Sequence, residues 1–339
     1  MGGEPIAAEH AAEAKRLQAL ADPAPGRVLH VLCVLGVPDE LLDGPRTVEE
    51  LAEKLGADAD ALRRVLRAAQ EIDVLGEQGD DKWALRPGGL LLCTSTEGSL
   101  RAEFADNDLF ALWTAFEHSV RTGRPCYPEV FGAPLFERLD RRPDERRGFH
   151  LHMHARAHLV YGPLLGSPLW PDSGVVVDVG GGTGGLLEQL LAARPALSGV
   201  LYDLPEVLDL SPLRSQPRWA GRIDFVAGDI FAGGPPPGDV HVLGSVLHDW
   251  PDPAAIDILA SCRAAARPDG RLIVLDRVLP DTGPRPAVFN DLLMLAAVGG
   301  KERTSADWHA LAAASGFRVT AAHRAETTDL VLLEFTPAD

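Results

Sequence analysis

Residues Val175–Val177 form a short β-branched run that stops at Asp178-Val-Gly-Gly-Gly-Thr-Gly-Gly185 and restarts as Leu186-Leu-Glu-Gln-Leu-Leu191. This order reads as strand, tight turn and helix. Glycines at such a turn let the backbone approach a ligand closely, and the helix N-terminus offers free N–H groups to a charged one. The middle of the chain is therefore expected to hold a small charged cofactor. The spacing Gly180-x-Gly182-x-x-Gly185 also fits a dinucleotide fingerprint, with Asp203 at about the distance of its ribose-binding acid. The motif alone leaves the cofactor open.

From Val175 onward strand and helix alternate, which implies a parallel sheet. Strands are expected at Val175–Val179, Val200–Tyr202, Ile223–Val226, Val240–Val246, Leu272–Leu275, Arg318–Ala322 and Leu330–Phe335, with helices between them that include Ala254–Ala266 and Ser305–Ser315. The last two strands lack a long connecting helix and should form an antiparallel hairpin at one edge. The fold class is thus α/β, a seven-stranded Rossmann-like sheet. That final hairpin departs from a nicotinamide-binding sheet, and a dehydrogenase reading fits only the glycine spacing.

The first half reads as mainly helical. Helices are expected at Ala11–Ala21, Gly26–Leu35, Val48–Leu55 and Ala59–Glu71, the third opened by the capping box Thr47-Val-Glu-Glu50. A small hairpin of Val74-Leu75 and Trp83–Leu85 follows, a winged-helix order. The resulting division is 1–100 (winged-helix-like domain), 101–170 (helical linker and acceptor-pocket helices) and 171–339 (cofactor-binding catalytic domain). A winged helix raises the possibility of DNA binding. Residues 1–100 hold 10 Lys/Arg against 18 Asp/Glu, and the whole chain carries a net charge of −17, so neither nucleic acid nor an anionic membrane is an expected partner.

The four cysteines (Cys33, Cys93, Cys126, Cys262) form no CxxC pair, which fits a reducing cytoplasm. There is no signal-peptide core at the N-terminus and no apolar run long enough for a membrane span. His150, His152, His154 and His158 share one stretch with i, i+4 spacing, yet no carboxylate joins them at that spacing. No metal site is expected there.

Read in order, the strand ends carry Asp178-Val-Gly-Gly-Gly-Thr-Gly, Tyr202-Asp-Leu-Pro205, Gly228-Asp-Ile-Phe231, Ser245-Val-Leu-His-Asp-Trp-Pro-Asp252, Leu275-Asp-Arg-Val-Leu-Pro280 and Gly299-Gly-Lys-Glu-Arg-Thr304. In this order the chain resembles the S-adenosylmethionine-dependent O-methyltransferases of the plant caffeic-acid type and the bacterial antibiotic-tailoring type, over nearly its whole length. The resemblance implies S-adenosyl-L-methionine as cofactor, S-adenosyl-L-homocysteine as product, a small aromatic phenol as acceptor and a homodimer through the N-terminal half. For cofactor binding it implies Asp178, Gly180 and Gly182 at the amino-acid end, Asp203 on the ribose and Asp229, Ile230 and Phe231 around adenine, with Ser245 and Met153 nearby. Phe149, Asn290, Asp291 and Met294 are implied on the acceptor side, although Phe149 and Met153 would serve core packing equally well. Trp250 belongs either on the adenine side or in the core.

The chemistry follows from acidity. An unperturbed phenol has a pKa near 10, and histidine titrates near 6.5. A positioned neutral imidazole can take the proton as the oxygen attacks, for a gain of roughly 10²–10⁴. By resemblance His248 is that base, flanked by Asp276 and Glu302, and no catalytic metal is required. Relatives carry a longer Glu at the position of Asp276. Asp249 should point away from His248 by strand alternation. A second reading keeps fold and cofactor but performs hydroxylation or decarboxylation of an aromatic polyketide. Retention of His248, Asp276 and Glu302 favours methyl transfer.

Overall fold

The structure is a computed structural model that describes residues 3–96, 98–106, 108–280 and 287–338. The chain divides into two compact units, residues 1–107 and 108–339.

In the first unit the main elements are α1 (Gly3–Ala21), α2 (Ala24–Leu35), β1 (Arg46–Thr47), α3 (Val48–Leu55), α4 (Ala59–Glu71), β2 (Leu75–Glu77) and β3 (Lys82–Leu85). Thr47 opens α3 as the sequence predicts. Its hydroxyl accepts from the Glu50 N–H at 3.2 Å, and the Glu50 carboxylate accepts from the Thr47 N–H at 2.8 Å. Asp58 then caps α4 by accepting from Ala61 N–H at 2.8 Å. Leu62, Leu66 and Ala69 recur at helical spacing on α4 and join Leu32, Leu51 and Trp83 in one core. The hairpin carries a third strand, in the order β1-β3-β2. With only two residues, β1 was too short for any alternation to reveal it.

The second unit opens with short helices and α5 (Pro143–Tyr161). Its sheet comprises β4 (Gly174–Val179), β5 (Leu197–Asp203), β6 (Ile223–Ala227), β7 (Gly238–Gly244), β8 (Ala266–Leu279), the two-residue β9 (Arg303–Thr304), β10 (Phe317–Arg324) and β11 (Leu330–Pro337). Between them run α6 (Gly185–Ala193), α7 (Asp252–Ala265), α8 (Val288–Ala297) and α9 (Ser305–Ala314). The order is β10-β11-β8-β7-β4-β5-β6, with β9 pairing β8. Strands β4 to β8 are mutually parallel, and β11 runs antiparallel to both β8 and β10. The expected hairpin is present, and β9 was again too short to read.

Both faces of this sheet are covered, which is why its strands are apolar throughout. Val176 packs with Leu187, Leu190 and Leu201 on one face. Its neighbours Val177 and Val179 pack with Leu243, Ile258 and Val274 on the other. Strand order reverses between β4 and β7, which are direct neighbours. Ligands on open parallel sheets bind beyond the carboxyl ends at that point. No helix among the described residues is long and apolar enough to cross a membrane.

Candidate active site

The loop after β4 is held by backbone. Gly182 has φ +60°, a left-handed conformation that glycine adopts without steric cost. Its N–H donates to Asp203 Oδ2 at 2.7 Å, while Leu204 N–H donates to Oδ1 at 2.7 Å. Gly180 N–H donates to the Tyr202 carbonyl at 2.9 Å. Gly181 lies so close to Asp178 that an added Cβ would sit 2.6 Å from Asp178 Oδ2.

Asp178 is 1% exposed and its Oδ2 has no hydrogen-bond partner. Burial first, and then the charge of Asp203, push its carboxyl up to about 7. Burial also raises Asp203 above the usual carboxylate range. An orphaned buried acid next to exposed backbone geometry and a second acid fits a ligand with a cationic amine and ribose hydroxyls, such as S-adenosylmethionine. Further along, Asp229 Oδ1 accepts from Phe231 N–H at 2.9 Å, which fixes the turn after β6. Ile230 packs against the core, and half-exposed Phe231 meets the Trp250 ring edge-on at 4.9 Å. Phe136 stacks on Trp250 at 6.0 Å. Trp250 therefore belongs to an aromatic cluster that includes the Phe231 side of the site. Met153 is partly exposed on α5, and Phe149 lies edge-on to His150 at 5.3 Å.

Strand β7 ends at Gly244, two residues earlier than expected, because Ser245 takes φ +52° and its N–H donates to the Leu275 carbonyl at 2.8 Å. His248 thus sits on a 3₁₀ turn, Leu247–Asp249, beyond the strand. It is buried. Its Nδ1 lies 3.1 Å from Glu302 Oε1 and 3.1 Å from Asp276 Oδ1. The N–H points at Glu302 with hydrogen-bond geometry, and Asp276 completes the contact as an ion pair. The shorter acid therefore does reach the imidazole: β8 pairs with β7 in parallel, Gly244 opposite Leu275, so Asp276 follows at the strand end where the turn begins. Burial opposes a charge on His248, but Asp276, Glu302 and Asp249 outweigh it and hold the imidazole well above its ordinary range.

Asp249 corrects the sequence reading. Its Oδ1 lies 3.6 Å from His248 Nε2. Alternation failed as a guide because a 3₁₀ turn, with about three residues per turn, does not send neighbours to opposite faces. Asn290 and Asp291, expected on the acceptor side, are engaged with Glu302: the Asn290 amide donates to Glu302 Oε1, and Asp291 Oδ1 accepts from Glu302 N–H at 2.8 Å. Arg277 donates to the same Oε1 at 3.5 Å and to Asp329 at 2.6 Å. Met294 lies partly buried on the same helix, α8.

Sequence reasoning missed Arg303. It is fully buried and clamps the His248 turn: Nη1 donates to the Leu247 carbonyl at 2.8 Å, Nη2 to the Trp250 carbonyl at 2.9 Å and Nε to Asp252 Oδ1 at 3.0 Å. Lys301 N–H adds a bond to the His248 carbonyl at 2.9 Å. The available signal was the Gly-Gly pair before it, since a Cβ on Gly300 would collide with the His248 carbonyl.

The α5 histidines are not alone either. Glu188 on α6 brings its carboxylate to His154, a partner that spacing along one helix could not reveal. Burial and then Arg146 push His150 down to about 4.

Comparison with known proteins shows the family. Residues 113–318 match the O-methyltransferase domain, and residues 24–93 match the O-methyltransferase dimerisation domain. The chain is 34% identical to a phenazine O-methyltransferase from Lysobacter antibioticus, over 85% of this chain and 86% of that one. It superposes on the structure of a mitomycin 7-O-methyltransferase with a TM-score of 0.88 at 32% identity, covering 98% of this chain and 100% of that one. An O-methyltransferase from neocarzinostatin biosynthesis, solved with S-adenosylmethionine and 2-hydroxy-5-methyl naphthoic acid, aligns with a TM-score of 0.80 at 33% identity over 95% and 98% of the two chains.

Proposed function

The chain belongs to the S-adenosylmethionine-dependent O-methyltransferase family, and from that premise we propose that it methylates a phenolic hydroxyl of a small aromatic secondary metabolite with His248 as general base. The observation that carries this reading is the 3.1 Å contact of His248 Nδ1 with Glu302 Oε1. A carboxylate only accepts, so Nδ1 is the donor and Nε2 is left to take the acceptor's proton.

Asp178 would take the amino group of the cofactor, Gly180 and Gly182 its amino-acid end, and Asp203 its ribose hydroxyls. Asp229, Ile230 and Phe231 would border the adenine, with Ser245 and Met153 alongside. When bound, S-adenosylmethionine supplies a methyl carbon already activated by its sulfonium, so the reaction needs no metal. The remaining work belongs to the chain. Glu302 and Asp276 orient the imidazole and stabilise the cation it becomes. Asn290, Asp291 and Arg277 hold Glu302 in place. Arg303 holds the turn. Trp250, Phe136 and Phe231 form an aromatic cluster on the adenine side of the site. Phe149 and Met294 would line the acceptor.

A proton-accepting imidazole favours oxygen over an aromatic amine, whose lone pair attacks without prior proton loss. No observation favours hydroxylation or decarboxylation. The dimerisation domain supports a homodimer, and four buried unpaired cysteines fit the cytoplasm. The test is His248→Ala. Methyl transfer to a panel of phenols, read by mass, should fall at least about a hundredfold while calorimetric binding of S-adenosylmethionine persists. Unchanged turnover would remove His248 from the chemistry.

A further inference from the structure

On α5, His154 and His158 stand one turn apart, and α6 carries Glu188 against them. His154 Nε2 lies 3.2 Å from Glu188 Oε2. Together the two rings and the carboxylate offer three ligand atoms that all lie within 4.8 Å of one another. The other ring nitrogen has a hydroxyl beside it: His154 Nδ1 is 3.1 Å from Thr183 Oγ1, which also lies 3.4 Å from the His150 carbonyl. In the free protein the His154–Glu188 contact is a hydrogen bond that holds the Glu188 carboxyl below its usual range. With Nδ1–H donated to Thr183 instead, Nε2 turns a lone pair toward the carboxylate, and a metal ion can take the place of the shared proton.

Three features favour the metal. Tetrahedral Zn²⁺ with bonds of about 2.0–2.1 Å keeps its ligand atoms roughly 3.3 Å apart; the His154–Glu188 pair stands at 3.2 Å, and all three atoms lie within 4.8 Å of one another, a small side-chain adjustment away. A ligating histidine ordinarily donates its second N–H to an oxygen, and Thr183 Oγ1 stands within reach of His154 Nδ1 to accept it. His158 supplies a further nitrogen on the same helix face. We propose that His154, His158 and Glu188 form a Zn²⁺ site that staples α5 to α6. Two imidazoles and one carboxylate are a borderline donor set that suits this ion, with water at the fourth position. Arg218 pairs with the other Glu188 oxygen and competes with the metal for its charge, but its side chain is 60% exposed and can turn to solvent. Because Thr183 belongs to the glycine loop, an ion here would stiffen the cofactor's cradle from behind. The site is independent of the His248 chemistry.

The test uses the full untagged chain and Zn²⁺ alone, with affinity read by competition against a chromophoric chelator. The wild type should take one ion per chain. His158→Gln should weaken uptake at least about tenfold. Arg218→Gln should tighten it a few-fold by removing a competing charge. His248→Ala should leave it unchanged, which excludes the second cluster of potential ligands at His248, Asp276 and Glu302. Zn²⁺ should raise the melting temperature of the wild type and not of His158→Gln, a difference that decides the matter even if the variant is less stable. Uptake well below one ion, equal affinity in His158→Gln, or loss of uptake in His248→Ala would overturn the proposal.

Discussion

The loop after β4 and the turn after β7 lie at neighbouring strand ends, yet they are built from different materials. The loop is contiguous, and its own backbone N–H groups tie it to the end of β5: Gly180 to the Tyr202 carbonyl and Gly182 to the Asp203 carboxylate. The turn is assembled from distant segments by buried charge: Asp276 from β8, Asn290 and Asp291 from α8, and Glu302 and Arg303 from the stretch before α9. The loop depends on the absence of side chains. The turn depends on the presence of several that would each be costly alone in a protein interior. Damage to the first should therefore be steric and local, whereas damage to the second should be electrostatic and spread to the whole turn.

The largest expected effect tests the second half of that contrast. Arg303→Met leaves the Leu247 and Trp250 carbonyls and Asp252 without their shared donor. Asp252 keeps Lys301 as a partner, so the cost comes from the two carbonyls: about 2–4 kcal/mol in denaturant unfolding, with a lower kcat as well. A cost under about 1 kcal/mol would show that the clamp is dispensable. Gly181→Ala is the steric counterpart. Its Cβ would meet the Asp178 carboxylate and Leu201, so overpacking should cost about 1–3 kcal/mol and weaken cofactor binding. Equal binding would mean that the loop has room that its packing denies.

Asp178→Asn separates charge from shape within the loop and should act more mildly. Its folded pKa of about 7 lies above the reference value of 3.8. The folded state therefore holds an extra proton between those values, and stability from this group falls as pH rises from about 4 to about 7, with the full cost above 7. In the cofactor-free protein, Asn should remove that cost, raising the melting temperature above pH 7, while S-adenosylmethionine binding weakens. A variant that melts lower at pH 8 would contradict the assignment of Asp178 as a strained acid.

The same contrast explains what the residues disclosed beforehand. The succession of strands and helices, the final hairpin and the glycine loop were legible because each is local: β-branched runs, punctuation by glycine and a capping box at fixed spacing. Asp203 and Glu302 could be placed because they sit within short motifs. Arg303 could not, because a lone arginine reads as a surface residue until the fold buries it. Asp249 was misjudged where regular alternation gave way to a 3₁₀ turn, and Ser245 at φ +52° marks that change. Glu188 escaped notice as a partner of His154 because its helix comes from elsewhere in the sequence. Asn290 and Asp291 were assigned to the acceptor side by resemblance, and their bonds to Glu302 required coordinates.

The central claim is that His248 acts as a base whose proton affinity is set by the carboxylates around it. Those carboxylates hold it well above its ordinary range, so its neutral form is reached only as pH rises past that raised value. The most direct measurement is the pH dependence of kcat/KM in the wild type and in Glu302→Gln, which keeps an acceptor for Nδ1–H but removes a charge. The ascending limb should lie above about pH 6.5 in the wild type and move to lower pH in the variant, with a reduced plateau. An ascending limb at the same pH in both proteins would contradict the account.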